Sequence, residues 1–280
     1  MSYIKETKGI TLNPYIPPVL VGDVAYWDGS NVKTTPLSNW NTSLGTPVGV
    51  VVIPEGFATD GRPRIVSLLY VDKDGNTSTS YQTIGWIEQS SLTPETDFTR
   101  VPTTDNAGST STGSADYGYL PSDKFTGTTS YVDTKAKYYG DTPMIPSPYL
   151  GETPNPEYYK EISGYINILS DFNGLSNTQT LVGLDPDCNV PNAAWKYKDG
   201  VSNLQWYLPA MGELGFLMPR FNEINNTITA LGGVQVYGYY SFWSSTEYDS
   251  NNAVCLSTYY ASIGEYSKSG KFLIYPFATI

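Results

Sequence analysis

Two tryptophan-led motifs constrain what this chain can fold into. Trp206-Tyr-Leu-Pro-Ala-Met-Gly-Glu213-Leu leads through a helical stretch to Gly232-Gly233 and then to Phe242-Trp243-Ser-Ser-Thr-Glu247. In the first, Trp206, Leu208 and Pro209 predict a strand-to-helix corner plugged by an aromatic ring, and Glu213 falls in the first helical turn, where a carboxylate complements the helix dipole. In the second, Trp243 and Glu247 read as framework, with Ser244, Ser245 and Thr246 hydrogen-bonding locally. Trp206, Leu208, Trp243 and Leu256 are expected to be buried.

Around and beyond the second motif the alphabet narrows to Tyr, Ser, Asn and Asp. Tyr237, Tyr239, Tyr240, Tyr248, Asp249, Ser250, Asn251, Asn252, Tyr259, Tyr260, Ser262, Tyr266 and Ser267 alternate with the structural-looking Trp243, Ala253, Leu256, Gly264 and Phe272. Tyr supplies rigid, amphipathic contact area at low entropic cost, while Ser and Asn adapt their hydrogen bonds. The polar set is therefore the candidate ligand-binding surface, expected to face solvent on one side of the fold. Composition alone fits an ordinary Tyr-rich β-segment with loops equally well.

Upstream, the polarity pattern predicts a β-rich domain with a few helices. Residues 19–27 followed by Asp28-Gly29 read as a strand into a tight turn. Residues 48–53 and 64–71 are the strongest strands, the second ending in the turn Asp72-Lys-Asp-Gly75. Trp86 and Ile87 are placed to close the sheet. Helices are predicted over 156–168, over 171–182, and as a pair over 209–217 and 220–231. Phe221, Ile224, Ile228 and Leu231 line one face of the last, Pro219 breaks the pair, and Gly232-Gly233 stops it.

Residues 1–18 read as an extended arm, because Asn13-Pro14-Tyr15-Ile16-Pro17-Pro18 cannot continue a helix. The remaining 19–280 read as one domain, interrupted at about 90–155 by a Ser/Thr/Gly/Pro-rich insertion too long for an ordinary connection.

Several kinds of chemistry are removed by what the chain lacks. With no His among 280 residues, it carries neither Ser-His-Asp nor Cys-His catalysis nor a His-ligated zinc. A net charge of −11 without any basic run argues against a nucleic-acid partner. No apolar run reaches the ~20 residues that span a bilayer, so membrane insertion is not expected. The N-terminal Met-Ser-Tyr-Ile-Lys-Glu has no signal-peptide core, which fits either a trimmed chain or a protein that meets its ligand without secretory export. Cys188 and Cys255 lie in no metal-type spacing, and whether they pair is open. Asp72-Lys-Asp-Gly-Asn lacks the closing Glu of a helix-loop-helix calcium loop and reads as a turn. No cofactor or metal is expected, although calcium held by scattered Asp and backbone oxygens stays open.

The W-Y-L-P-x-x-x-E-L and W-S-S-T-E pair, with Phe172-x-Gly-x-x-Asn-Thr ahead of it, resembles the variable ligand-binding proteins of diversity-generating retroelements. Their domain belongs to the formylglycine-generating-enzyme-like branch of the C-type lectin fold. The resemblance implies an α+β, C-type lectin-like fold in which two principal helices pack on small twisted antiparallel sheets. Because N- and C-terminal strands pair in that fold, it also implies that 48–53 lies beside 271–275. Relatives tend to end in an Arg-containing strand, whereas residues 275–280 hold no Arg, which puts the last pairing in doubt.

The resemblance further implies a binding protein and not an enzyme. The closely spaced cysteine pair used by the oxidising enzymes of that branch is reduced here to Cys255, and the calcium-lectin tripeptides are missing. Adenine mutagenesis of Asn codons in such genes leaves Tyr, Ser, Asp and Asn without creating stops. The expected role is receptor recognition at a phage tail tip or fibre, in the virion or on an extracellular surface. Expected partners are a host cell-surface protein or glycan and neighbouring virion or surface subunits, with display as a homo-oligomer such as a trimer. A non-diversified adhesin or structural subunit of a bacterial appendage or envelope is the alternative.

Overall fold

The computed structural model describes residues 19–58, 60–86, 172–184, 189–217, 220–236, 240–247, 252–258 and 262–280. The arm at 1–18, the insertion at 90–155 and the helix expected over 156–168 lie outside these residues, as do Ile87, Cys188 and Pro219.

The architecture is mixed α+β with antiparallel sheets. Strands β1 (Val24–Trp27), β2 (Val32–Thr35), β3 (Thr46–Ile53) and β4 (Arg64–Ser67) are followed by the short pieces β5 (Tyr70–Val71), β6 (Thr77–Ser78) and β7 (Ile84–Gly85). Helices α1 (Gly174–Leu184) and α2 (Asn189–Lys196) precede β8 (Trp206–Tyr207), α3 (Met211–Gly215) and α4 (Phe221–Ala230). The chain ends with β9 (Ser241–Glu247), β10 (Asn252–Ser257), β11 (Ser262–Ser267), β12 (Lys271–Phe272) and β13 (Phe277–Thr279).

Six strands form the main sheet in the order β2-β1-β3-β4-β13-β8, and β11-β10-β9 form a separate three-stranded meander. The apolar run of β3 is buried because both faces of the main sheet are covered, as its near-continuous hydrophobicity requires. Val50, Val66 and Phe277 face a core shared with Ile224 and Ile228 of α4 and with Phe242, Val254 and Leu256 of the meander. Val51, Ile65 and Ala278 face a second core holding Leu181 of α1, Val190 and Ala194 of α2, and Trp206, Trp243 and Cys255. Strand β10 thus sends alternate residues into two different cores, and it is buried from Ala253 through Ser257.

Two expectations are corrected. Strand β3 does not lie beside 271–275, because its two edges are already taken by β1 and β4. The C-terminal strand β13 pairs instead with β4 and β8, while β12 pairs with β7. Helix α2 is also additional to the sequence reading. Its Pro191 sits in the first turn, where a missing N–H costs no helical hydrogen bond.

The other local expectations follow their chemistry. Gly232 ends α4 at φ +76°, and Phe221, Ile224 and Ile228 form its buried face. Asp72 closes a turn by accepting the amides of Asp74 and Asn76 at 2.9 Å each.

Candidate functional site

The meander that carries the candidate ligand-binding residues is held by side chains of the second tryptophan motif, and the holding bonds run far along the chain. Ser244 donates to the Val254 carbonyl at 2.8 Å. Ser245 accepts from the Asn177 amide of α1 at 3.2 Å. Thr246 accepts the Met211 N–H at the start of α3 at 2.8 Å. All three hydroxyls are buried. The expected local bonding is present between Ser244 and Thr246, whose N–H donates to the Ser244 hydroxyl at 3.3 Å, and to it are added latches that join β9 to both helical regions. Trp243 adds a fourth, donating its indole N–H to the Ile84 carbonyl at 2.8 Å.

The first motif forms a matching knot. Glu213 is fully buried and takes the Arg64 Nε–H at 3.0 Å, the Tyr207 hydroxyl at 3.0 Å and the Ala210 N–H at 2.9 Å. Arg64 also reaches Asp60 at 3.1 Å and the Arg62 carbonyl at 2.8 Å. Burial, reinforced by the Glu213 carboxylate, pushes the Tyr207 phenol well above its ordinary pKa, so it remains a donor. Gly174 at the start of α1 fits against this knot only because it has no side chain: a Cβ there would stand 2.2 Å from Glu213 Oε2. Nearby, the Thr178 hydroxyl accepts the Leu208 N–H at 3.0 Å and shares its proton between the Gly174 and Leu208 carbonyls, at 2.8 and 3.1 Å. Trp206, Leu208, Trp243 and Leu256 are all fully buried.

Of the candidate surface residues, Tyr237, Tyr239, Tyr248, Asp249, Ser250, Asn251, Tyr259 and Tyr260 lie outside the described residues. The others fall at two ends of the meander. Ser262 pairs with Ser257, which pairs with Ser241, next to Tyr240. The Tyr240 carbonyl accepts both the N–H and the hydroxyl of Thr258, at 3.2 and 3.0 Å. Asn252 pairs with Ser267 at the opposite end, beside Tyr266. Five residue steps along β10 separate these ends, roughly 17 Å at about 3.3 Å per residue. The described candidates thus form two groups at opposite ends of the meander. Tyr266 and Ser267, consecutive on β11, also point to opposite faces, as a strand's period of two demands.

Each end has its own aromatic environment. Tyr240, expected to face solvent, is half-buried against the first core, with its ring 5.2 Å from that of Tyr81. Tyr81 is 38% exposed and leans on buried Tyr70 at 5.3 Å. It belongs to this surface, and sequence reasoning missed it because it sits alone in a Ser/Thr-rich connection with no periodic pattern to mark it. At the other end Tyr266 is 39% exposed and meets Phe272 edge-on at 4.9 Å. Its ring lies back over Gly264, where a Cβ would come within 2.9 Å of it.

Cys255, level with Trp243 in the meander, is buried, and burial raises its thiol pKa well above the ordinary value. Among the described residues no helix is long and apolar enough to cross a membrane.

The latches make a specific prediction. Replacing Thr246 with Val keeps the shape but leaves the buried Met211 N–H without its acceptor, and the expected loss of stability is about 1–3 kcal/mol. Chemical denaturation monitored by tryptophan fluorescence measures it, and an unchanged midpoint would show that this latch is not holding β9 to α3.

No family model matches the chain, and no curated protein matches it. Among solved structures, a fimbrial protein from Bacteroides ovatus ATCC 8483 is similar at 12% identity and a TM-score of 0.46, over 94% of this chain and 49% of that one. The chain spans about half the length of that structure, and a likeness this distant carries no argument about function.

Proposed function

We propose that this chain is a recognition protein of an extracellular or particle surface, an adhesin or a binding subunit of an appendage, and that it is not an enzyme. The observation that carries the reading is the buried, latched frame. The hydroxyls of Ser244, Ser245 and Thr246 and the whole of β10 from Ala253 to Ser257 are buried, and the Tyr-, Ser- and Asn-rich segments 237–240, 248–252 and 259–262 adjoin these strands in sequence. A frame latched in this way tolerates replacement of what it displays, which is the property a recognition surface needs.

The finer reading follows from the motifs. The protein is a C-type lectin-like variable protein of a diversity-generating retroelement, displayed on a phage tail tip or fibre and binding a host surface protein or glycan. Tyr-rich patches with polar neighbours suit such work, since Tyr buries area while its hydroxyl stays paired. A surface of this kind without a deep pocket gains strength from several copies on one particle through effective concentration.

Exchange of segments 237–240, 248–252 and 259–262 for those of a sibling variant is the test. Redirected adsorption with an unchanged melting temperature is the expected result, and an unchanged target preference would overturn the recognition assignment. A near-identical copy of the gene's 3′ end beside a reverse-transcriptase gene separates the diversified reading from that of an invariant appendage subunit.

A further inference from the structure

A pocket of about 550 Å³ lies between the turn at 20–23, the turn at 36–38 and helix α4, with no residue of the meander in its lining. Leu20, Val21, Pro36 and Leu37 give it an apolar wall, while Asp23 and Glu223 supply two carboxylates.

Asp23 is only 6% exposed. One of its oxygens accepts the Leu20 N–H at 2.9 Å. Among the described residues, the other oxygen has no hydrogen bond and no cation pairs with the group. This is unlike Glu213, the other buried carboxylate among the described residues, which is saturated by Arg64, Tyr207 and a backbone amide.

The turn does not need the charge. It is closed by Asp23 N–H to the Leu20 carbonyl at 3.2 Å and tied to β3 by Gly22 N–H to Val51 and Val51 N–H to Asp23, each at 2.9 Å. Thr227 of α4 fixes it again by donating to the Gly22 carbonyl at 2.9 Å. An Asn would serve that geometry without holding a carboxylate largely out of water, a cost that a cation bound at its open oxygen would offset.

Glu223 lies across Gly22, where a Cβ would stand 3.0 Å from its Oε1. Its own pair with Arg220 is long, at 3.5 Å, and exposed. The pocket thus has one carboxylate in its wall, a second beside it, and aliphatic walls.

We propose that this pocket binds an alkylammonium group, the side chain of a lysine, with Asp23 as its counter-ion and the Leu20 and Leu37 side of the pocket packing its methylene stem. A lysine carries this combination, an aliphatic stem with a compact charged head. A hard divalent ion would instead call for six or more oxygens. Burial holds the Asp23 carboxyl above its ordinary pKa, as expected for a carboxylate awaiting a cation. Two sources present the same chemistry: Lys5 and Lys8, which precede the pocket residue Leu20 in sequence, and a lysine of a separate partner.

The probe is N-acetyl-lysine methylamide, titrated into the isotope-labelled full chain and followed at the Leu20, Gly22 and Thr227 amides. The Nε-acetylated compound is the uncharged control. Expected are saturable shifts with the charged probe only, at least tenfold weaker in Asp23→Asn, whose side-chain oxygen still accepts the Leu20 N–H, and weakened several-fold in Glu223→Gln. A K5Q/K8Q double variant distinguishes the sources: tighter probe binding than wild type identifies the chain's own lysines as competitors, and equal binding identifies an external donor. The proposal is overturned if no saturable shift occurs in the K5Q/K8Q chain, if the uncharged compound binds equally well, or if neither the Asp23 nor the Glu223 variant weakens the probe.

Discussion

Replacing Glu213 with Ala is expected to remove about 3–5 kcal/mol of folding stability, because it leaves the Arg64 guanidinium buried without its main partner. Arg64 is 5% exposed and Glu213 fully buried at 3.0 Å. The contact to Asp60, itself 44% exposed, is solvent-screened and compensates only in part. The same change strips an acceptor from the Tyr207 hydroxyl and from the Ala210 N–H. Strand β8, helix α3 and the start of α1 all meet at this carboxylate, so the loss should appear as one cooperative transition at lower denaturant, read by far-UV circular dichroism and tryptophan fluorescence together. A cycle with Arg64→Met should be non-additive by about 0.5–3 kcal/mol, the double variant being better than the sum of the singles. A Glu213→Ala loss below about 1 kcal/mol would mean that water, and not the ion pair, satisfies this corner.

That carboxylate also marks how far sequence reasoning reaches. Its place in a first helical turn, and its structural character, are legible from Trp206 through Leu214, because caps and dipoles are local. Its partner is not, since Arg64 stands 149 residues away and nothing in either neighbourhood names the other. The final strand carries no Arg, and the guanidinium at that level is Arg64, the register partner of Thr279.

The same limit governs the second motif. Burial of Trp243 follows from its size and setting, but the groups that donate to the Ser245 and Thr246 hydroxyls lie far off in sequence, on α1 and α3. Strand pairing failed for a related reason. Residues 48–53 and 271–275 are each plausible strands, yet a strand has only two edges, and the hairpin return of β4 had already filled the one in question. Helix α2 is short and carries Pro191 in its first turn, so neither its length nor its periodicity marks it in the sequence. The placing of the described candidates at two ends of the meander depends on register, which composition does not carry, and Tyr81 has no pattern around it to mark it.

Trp243→Ala should be nearly as damaging as the loss of Glu213, at about 3–5 kcal/mol, by cavity formation and lost packing. The ring meets Trp86 edge-on at 5.5 Å and Phe272 at 4.8 Å, its N–H is bonded to the Ile84 carbonyl at 2.8 Å, and its backbone N–H is bonded to the Leu273 carbonyl at 3.0 Å. It therefore couples β9 to the strand pair β7 and β12, and through Phe272 to the exposed ring of Tyr266. Trp243→Phe restores most of the ring contacts but removes the indole donor to the Ile84 carbonyl, so a smaller loss of about 1–3 kcal/mol is expected. Tyr266→Ser at the surface should stay near about 0.5 kcal/mol. The comparison separates holding from touching. If recognition resides in the displayed residues, Tyr266→Ser can weaken adsorption with stability unchanged, whereas Trp243→Phe should preserve adsorption at temperatures where the chain remains folded. Loss of adsorption in folded Trp243→Phe, with Tyr266→Ser and the exchanged segments silent, would move the binding surface from the ends of the meander to the face beneath it.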